Sequence, residues 1–151
     1  MNYLPVSLNL SNKKVLIIGG GNVAFLKFRN ISRFTTDITF LATDFLPEIL
    51  SSGYPTIRKT YETSDLEGYS IIYACTNKSS LNTKIRHEAQ SSHLLVSVCD
   101  DPALSDFVSP ATCKVDEITL SVGSDGTDVK RSVRIRNRII QLIDEGILSL
   151  E

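Results

Sequence analysis

In the first part of the chain, apolar runs typical of strands alternate with segments in which apolar residues recur at helical spacing. Residues 14–18 (Lys-Val-Leu-Ile-Ile) form an apolar run typical of a buried strand, and three consecutive glycines follow it, which is typical of a tight strand-to-helix turn. From Val23 to Phe34 apolar residues recur at helical spacing, and residues 38–42 again have the pattern of a strand. Strand, turn, helix and strand together occupy about 30 residues, which is the size of one βαβ unit.

The same alternation continues to about residue 100. The pattern predicts a short helix at 45–52, strands at 56–61, 70–75 and 94–99, and a helix at 80–91 that is capped by the small polar residues at 76–79. Strands that alternate with helices predict an α/β fold, a Rossmann-like doubly wound parallel sheet. Such a sheet binds its ligands beyond the carboxyl ends of the strands.

The pattern changes after Pro110. Residues 117–122 alternate strictly, as an antiparallel or edge strand does, and a turn at 123–126 precedes a helix predicted from about 128 to 145 with the apolar stripe Ile135, Ile139 and Leu142. About 40 residues with one strand and one helix cannot build a separate core. The region should therefore pack on the sheet or on another subunit, and we expect a Rossmann domain over residues 1–112 and a small C-terminal strand-helix region for dimerisation and substrate contact over residues 113–151.

Charge and composition exclude several classes of protein. The 151 residues include 16 Lys and Arg against 17 Asp and Glu, a net charge of −1 that gives no overall electrostatic reason to bind nucleic acid or an anionic membrane. No apolar run approaches the roughly 20 residues that cross a bilayer, and the first residues lack the pattern of a secretory signal. We expect a cytoplasmic protein.

The three cysteines, Cys75, Cys99 and Cys113, are too far apart for a CxxC arrangement, so we predict no metal site. Cys75 and Cys99 end two apolar runs, where buried free thiols are expected, and an odd number of cysteines is typical of a reducing compartment.

Residues 19–24 (Gly-Gly-Gly-Asn-Val-Ala) fit the pattern G-x-G-x-x-G/A after a strand and at the start of a helix. Gly19 permits the turn, Gly21 lets a pyrophosphate approach the backbone, and the helix N-terminus attracts the phosphate charge. We expect Gly19, Gly21, Asn22 and Val23 to bind a dinucleotide. The alternative is a glycine-rich turn without a ligand.

The adenosine side of this fingerprint normally has an acidic residue about 20 positions further on. Leu41 and Ala42 stand there instead, and the nearest acid is Asp44. We expect Thr43 and Asp44 to face the adenosine, unless Asp44 only caps the next helix. Because residues 41–47 contain no arginine to hold a 2′-phosphate, NAD is predicted rather than NADP.

Five short motifs, in order, are similar to those of the precorrin-2 dehydrogenase family, the N-terminal module of siroheme synthase. They are Leu4-Pro5, residues 19–24, Cys75-Thr76-Asn77 with Asn82, residues 97–101 and residues 107–110. The resemblance runs from residue 4 to about 126. It implies a homodimer that oxidises precorrin-2 to sirohydrochlorin with NAD in siroheme biosynthesis, with Thr76 and Asn77 in the cofactor loop after the strand at 70–75.

Within the resemblance, Asp100 corresponds to an aspartate that is essential in the family. Asp100 also follows the strand at 94–99, where α/β sheets place their chemistry, and a carboxylate there could accept the proton that the oxidation releases. The alternative is a turn residue before Asp101 and Pro102.

The sequence departs from the family after the glycine turn at 123–126. Relatives usually have G-x-SPxLAR where this chain has residues 126–131, so substrate contacts in that segment do not carry over. Ser124 matches a position that is Ser or Thr in many relatives. It could touch substrate, be modified, or be a plain turn serine.

Five cations lie within residues 130–138, namely Lys130, Arg131, Arg134, Arg136 and Arg138. Arg131, Arg134 and Arg138 share one helical face, where they could meet the carboxylates of a tetrapyrrole. A solvated face explains the run equally well. Nucleic acid is third, because no aromatic residues accompany the cations.

Three functions follow from the sequence. The first is the dehydrogenase alone, which the short C-terminal region and the lack of a histidine near Asp100 favour. The second is a dehydrogenase that also inserts iron as a ferrochelatase. The third is a regulatory module that senses NAD without turnover.

Overall fold

A computed structural model describes residues 3–150 of the chain. The strands are β1 (Val15–Ile18), β2 (Ile38–Ala42), β3 (Thr56–Arg58), β4 (Ile71–Ala74), β5 (Leu95–Val98), β6 (Ala111–Val115) and β7 (Ile118–Val122). The helices are α1 (Asn22–Ile31), α2 (Pro47–Leu50), α3 (Ser79–Ser91) and α4 (Val129–Asp144), and two 3₁₀ turns span Thr63–Leu66 and Pro102–Leu104.

Strands β1 to β5 form one parallel sheet in the order β3-β2-β1-β4-β5. The strand order reverses between β1 and β4, which creates the crevice where doubly wound sheets bind ligands. The predicted Rossmann-like fold is therefore confirmed. The register pairs Ala42, at the end of β2, with Arg58, at the end of β3.

Two apolar cores cover the two faces of this sheet. On one face, α1 and α2 contribute Phe28 and Ile49, which pack with alternate sheet residues such as Phe40. On the other face, Ile85 and Ala89 of α3 pack against the intervening sheet residues. Every residue of β1 and β4 is buried, as expected for central parallel strands with helices on both sides.

Residues Leu4–Phe107 form one compact unit, and Val108 begins a second unit that also includes Tyr3. The sequence predicted one strand in the C-terminal region, whereas the structure has two, β6 and β7, paired antiparallel. Helix α4 packs against both strands. Arg136 ties α4 to β6, because its Nη1 donates a hydrogen bond of 2.9 Å to the carbonyl of Thr112.

The prediction that Cys75 and Cys99 are free thiols is wrong. The ends of β4 and β5 lie side by side, their Cα atoms 5.2 Å apart, and the two cysteines form a disulfide. Cys113 is buried and free. Since two of the three cysteines pair, their odd number no longer argues for a reducing compartment.

Some element ends differ from the prediction. Helix α1 ends at Ile31, and Phe34 lies beyond it with 40% of its surface exposed. Strand β3 ends at Arg58, since the chain then turns into the 3₁₀ segment Thr63–Leu66. Within residues 3–150, no helix has the length and apolar character needed to cross a membrane.

Candidate active site

The glycine turn after β1 is built by close backbone packing. Gly19 has a φ of 139°, which favours glycine, and a β-carbon there would overlap the carbonyl group of Cys75. A β-carbon on Gly20 would overlap the carbonyl of Asp44, and the Leu46 N–H donates to the Gly20 carbonyl at 2.9 Å. The turn is thus packed between the loops that follow β2 and β4. The sequence assigned no role to Gly20.

Neither space nor backbone conformation requires a glycine at position 21. Gly21 is the N-cap of α1 in an extended conformation, and no atom would lie within 4 Å of an added β-carbon. The first turn of α1, which includes Asn22 and Val23, contains no acidic residue, and no side chain caps the helix. Gly21, Asn22 and Val23 are exposed, so the N–H groups at the start of this helix suit a phosphate.

Ala24, at the end of the fingerprint, is fully buried in the core beneath α1. A small side chain there allows the helix to approach the sheet closely. The glycine turn, the open N-terminus and the packed alanine together fit a dinucleotide pyrophosphate.

Asn82, in the second turn of α3, is 1% exposed and connects two loops of the site. Its Oδ1 accepts hydrogen bonds from the N–H and the hydroxyl of Thr76, at 3.1 and 2.7 Å. Its Nδ2 donates to the Thr76 carbonyl at 3.1 Å and to Asp100 Oδ1 at 2.8 Å. Both ends of the amide are satisfied, so the β4–α3 loop and Asp100 are held at a fixed separation.

Asp100 is exposed two residues beyond β5, at the edge of the sheet where the glycine turn lies. Ser79 donates to its Oδ2 at 2.6 Å, while Asn82 holds Oδ1. Partial burial alone would raise the pKa of Asp100, but the bonds from Ser79, Asn82 and the backbone outweigh it and lower the pKa below its usual range. The carboxylate is therefore charged at neutral pH.

The neighbouring carboxylate has a local structural role. Asp101 Oδ1 accepts from the Ala103 N–H at 2.9 Å and caps the 3₁₀ turn Pro102–Leu104. Asp100 makes no such contact with the turn. The alternative role as a turn residue therefore applies to Asp101 rather than to Asp100. Among residues 3–150, no three His, Cys, Asp or Glu side chains are grouped so as to hold a metal ion.

The predicted adenosine side lies at the ends of β2 and β3. Arg58 Nη1 donates to Asp44 Oδ1 at 3.1 Å and to the Thr43 carbonyl at 3.5 Å, and its guanidinium lies 5.6 Å from the centre of the Phe45 ring. Asp44 does not cap α2, whose N-cap is Leu46. Residues 41–47 contain no arginine, but Arg58 reaches Asp44 from the adjacent strand, which local sequence does not indicate.

The predicted caps of α3 are also different. Lys78 is the N-cap and its side chain makes no capping bond, while Asn77 is exposed. The Thr76 hydroxyl instead accepts from the Lys78 N–H at 3.2 Å and closes the loop locally.

The predicted substrate residues lie in the second unit. Ser124 Oγ accepts from the Asp128 N–H at 3.1 Å in the turn before α4, and Asp128 caps the helix by accepting from the Arg131 N–H at 2.8 Å. Arg131, Arg134 and Arg138 are exposed on α4, where Arg138 donates to Gln141 at 2.8 Å. Ser124 thus has a turn role, and the three guanidinium groups face solvent.

Ser79 and Asn82 are the positioning residues that sequence reasoning did not assign. They are spaced i, i+3 on α3, so they share the helix face that meets the end of β5. The spacing is visible in the sequence. The residue that the two side chains contact, however, depends on the pairing of β4 with β5.

The fold and this edge of the sheet define the class of protein, a dinucleotide-binding Rossmann domain. The profile of a family described as "Putative NAD(P)-binding" matches residues 6–111, and the chain belongs to that family.

The chain is also similar to named proteins. It is 33% identical over 150 residues to the siroheme synthase of Psychrobacter cryohalolentis and 30% identical over 151 residues to that of Pseudoalteromonas translucida, in both cases over 97% of this chain. It spans only 29% and 32% of the lengths of those two relatives. Among solved structures, SirC, a precorrin-2 dehydrogenase, matches 92% of this chain and 70% of its own, with a TM-score of 0.75 and 22% identity.

The open space at Gly21 predicts the effect of a charge placed there. We expect Gly21→Asp to fold normally, because aspartate is a good N-cap and meets no neighbour, but to lose NAD binding through repulsion of the phosphates. Calorimetric titration measures the affinity. Gly21→Asn is the matched control with equal bulk and no charge, and it should bind better than the aspartate variant. Unchanged NAD affinity in Gly21→Asp would contradict the phosphate site.

The bond from Ser79 predicts a shift in the titration of Asp100. Removing one of the donors that lower the pKa should raise it, so in Ser79→Ala the carboxyl takes up its proton at a higher pH than in the unmodified protein. Carboxyl-carbon NMR shifts followed against pH give the pKa directly. Ser80→Ala, one position along the same helix, should leave it unchanged. Equal pKa values in the two variants would refute the assigned bond.

Proposed function

We propose that this chain is an NAD-dependent precorrin-2 dehydrogenase that forms sirohydrochlorin in siroheme biosynthesis. The observation that carries the proposal is the Asp100 carboxylate, fixed by two side chains of α3 at the same sheet edge as the open glycine turn. The names of the similar siroheme synthases and of SirC support this choice of substrate.

The cofactor site consists of the glycine turn and its neighbours. Gly19, Gly21, Asn22 and Val23 would hold the pyrophosphate, with Thr76 and Asn77 on the adjacent loop and Thr43 and Asp44 on the adenosine side. A bound nicotinamide ring supplies a hydride acceptor. The family to which the chain belongs is consistent with either NAD or NADP.

Asp100 would act on the substrate. Dehydrogenation removes a hydride and a proton, and loss of the hydride leaves positive charge on the tetrapyrrole. An ionised carboxylate held in place stabilises that charge and can then accept the proton. The lowered pKa makes Asp100 a weaker base, so its negative charge contributes more than its basicity.

The acidic substrate suits the basic helix. Precorrin-2 carries several carboxylates, and Arg131, Arg134 and Arg138 present exposed guanidinium groups that can bind carboxylates in a bidentate manner. Ser124 would contribute only through the turn that it stabilises. Arg136 is less available, because it bonds the backbone of β6.

Removing the negative charge of Asp100 tests the proposed reaction. Asp100→Asn should lower the rate of precorrin-2 oxidation by about a hundredfold or more while NAD affinity stays unchanged, because the residue acts on the substrate. The assay incubates the protein with enzymatically generated precorrin-2 and NAD and follows both the chromophore and NADH.

The adjacent aspartate is the matched control for this assay. Asp101→Asn should retain most activity, because Asp101 caps a turn. Greater loss in the Asp101 variant would contradict the role of Asp100. A protein that binds NAD without oxidising precorrin-2 would instead favour the sensing module, and iron insertion in the same assay would reveal a ferrochelatase.

A homodimer is the second part of the proposal. In the second unit, Val129 and Ile135 of α4 are 64% and 42% exposed, and Ile118 of β7 is 45% exposed. Apolar surface of this kind, beside a two-stranded sheet with open edges, suits a two-fold contact between copies.

We expect the protein to be a dimer by light scattering and the double variant Val129→Glu, Ile135→Glu to be a monomer, because two charges in an apolar interface are not solvated. Unchanged helical circular dichroism would show that the variant is folded. Lys130→Glu, on the same helix, controls for charge alone. A double variant that stays dimeric would exclude this surface.

A further inference from the structure

We propose that Arg58 sets the coenzyme specificity of this site and enables it to take NADP as well as NAD. The inference rests on the proposed function only as far as dinucleotide binding. It concerns the one chemical difference between the two coenzymes, the 2′-phosphate that NADP carries on the adenosine ribose.

The backbone fixes Arg58 beside the adenosine rim. Ala42 and Arg58 are register partners at the ends of β2 and β3, and the Lys59 N–H donates to the Ala42 carbonyl at 3.1 Å. The side chain therefore starts next to the strand whose end normally meets the ribose. A second cation near this position, Lys59, is engaged elsewhere, since its Nζ contacts Glu62 at 2.8 Å and Asp65 at 3.0 Å.

The guanidinium is oriented and still accessible. It bonds Asp44 and the Thr43 carbonyl through Nη1 only, and it lies over the Phe45 ring, while 57% of the side chain is exposed. Arginine has five N–H donors, so Nη2 and Nε remain for an anion. Because Phe45 is buried, it gives the guanidinium a fixed surface to rest on.

Pairing with Arg58 also changes what Asp44 does. A lone carboxylate at the ribose rejects a 2′-phosphate by charge repulsion, which is how NAD-specific sites exclude NADP. Here the Arg58 charge lies 3.1 Å from Asp44 Oδ1 and offsets that repulsion. Asp44 Oδ2 can still accept a ribose hydroxyl of NAD, and the free arginine donors can bind the phosphate of NADP.

Calorimetric titration of the full chain with NAD and with NADP tests the assignment. The unmodified protein should bind the two coenzymes with affinities within about tenfold of each other. In Arg58→Gln, NADP binding should weaken by about tenfold or more, through loss of charge-assisted bonds to phosphate, and NAD binding by less than about threefold. NADP affinity should also fall more steeply with added salt in the unmodified protein than in the variant.

Arg29→Gln is the matched control, because it removes the same charge as Arg58→Gln at a distant position. Arg29 lies in the last turn of α1, at the opposite end of the sheet. The control variant should leave both affinities unchanged. NAD binding without NADP binding in the unmodified protein, or equal losses of both coenzymes in Arg58→Gln, would overturn the inference alone. A protein that binds neither coenzyme would overturn it together with the proposed function.

Discussion

Backbone contact at the glycine turn determines the geometry of the sheet edge that carries the candidate site. Gly19 lies against the carbonyl of Cys75 and Gly20 against that of Asp44, with no room for a β-carbon at either position. The loops after β2 and β4 can therefore close on the loop after β1. One of these loops carries Asp44, which meets Arg58, and the other carries Thr76, which meets Asn82. Larger residues in the turn would push both loops outward and disperse the site.

A buried amide is the second constraint on this edge of the sheet. Asn82 is the residue through which the loop after β4 and the carboxylate after β5 share one hydrogen-bond network. Burying an amide is costly unless its donors and acceptor are paired, and here they are. The same bonds stabilise the charged form of Asp100, so packing in the interior of the fold controls the electrostatics of an exposed group.

The spacing of apolar residues and the turn residues between the elements were sufficient to predict the parallel sheet and its helices. Buried strands and amphipathic helices differ in the spacing of their apolar residues along the chain. The same signals were insufficient for β6, a five-residue strand that follows a proline and shows little apolar contrast. Contacts between distant residues were also missed. Arg58 reaches Asp44 only because β3 pairs with β2, and Ser79 reaches Asp100 only because α3 crosses back beside β5. Such partners follow from strand order and register, which local patterns do not contain.

The disulfide between Cys75 and Cys99 encloses a particular part of the chain. The two cysteines are 24 positions apart, and the segment between them includes all of α3 and β5, and with them both side chains that bond Asp100. A crosslink over a loop of this length stabilises the folded form by about 3 kcal/mol, mainly by restricting the unfolded chain. The glycine turn lies outside the loop. Reduction would therefore ease the local opening of the segment that positions Asp100 more than that of the glycine turn, so the two parts of the edge differ in their sensitivity to thiols.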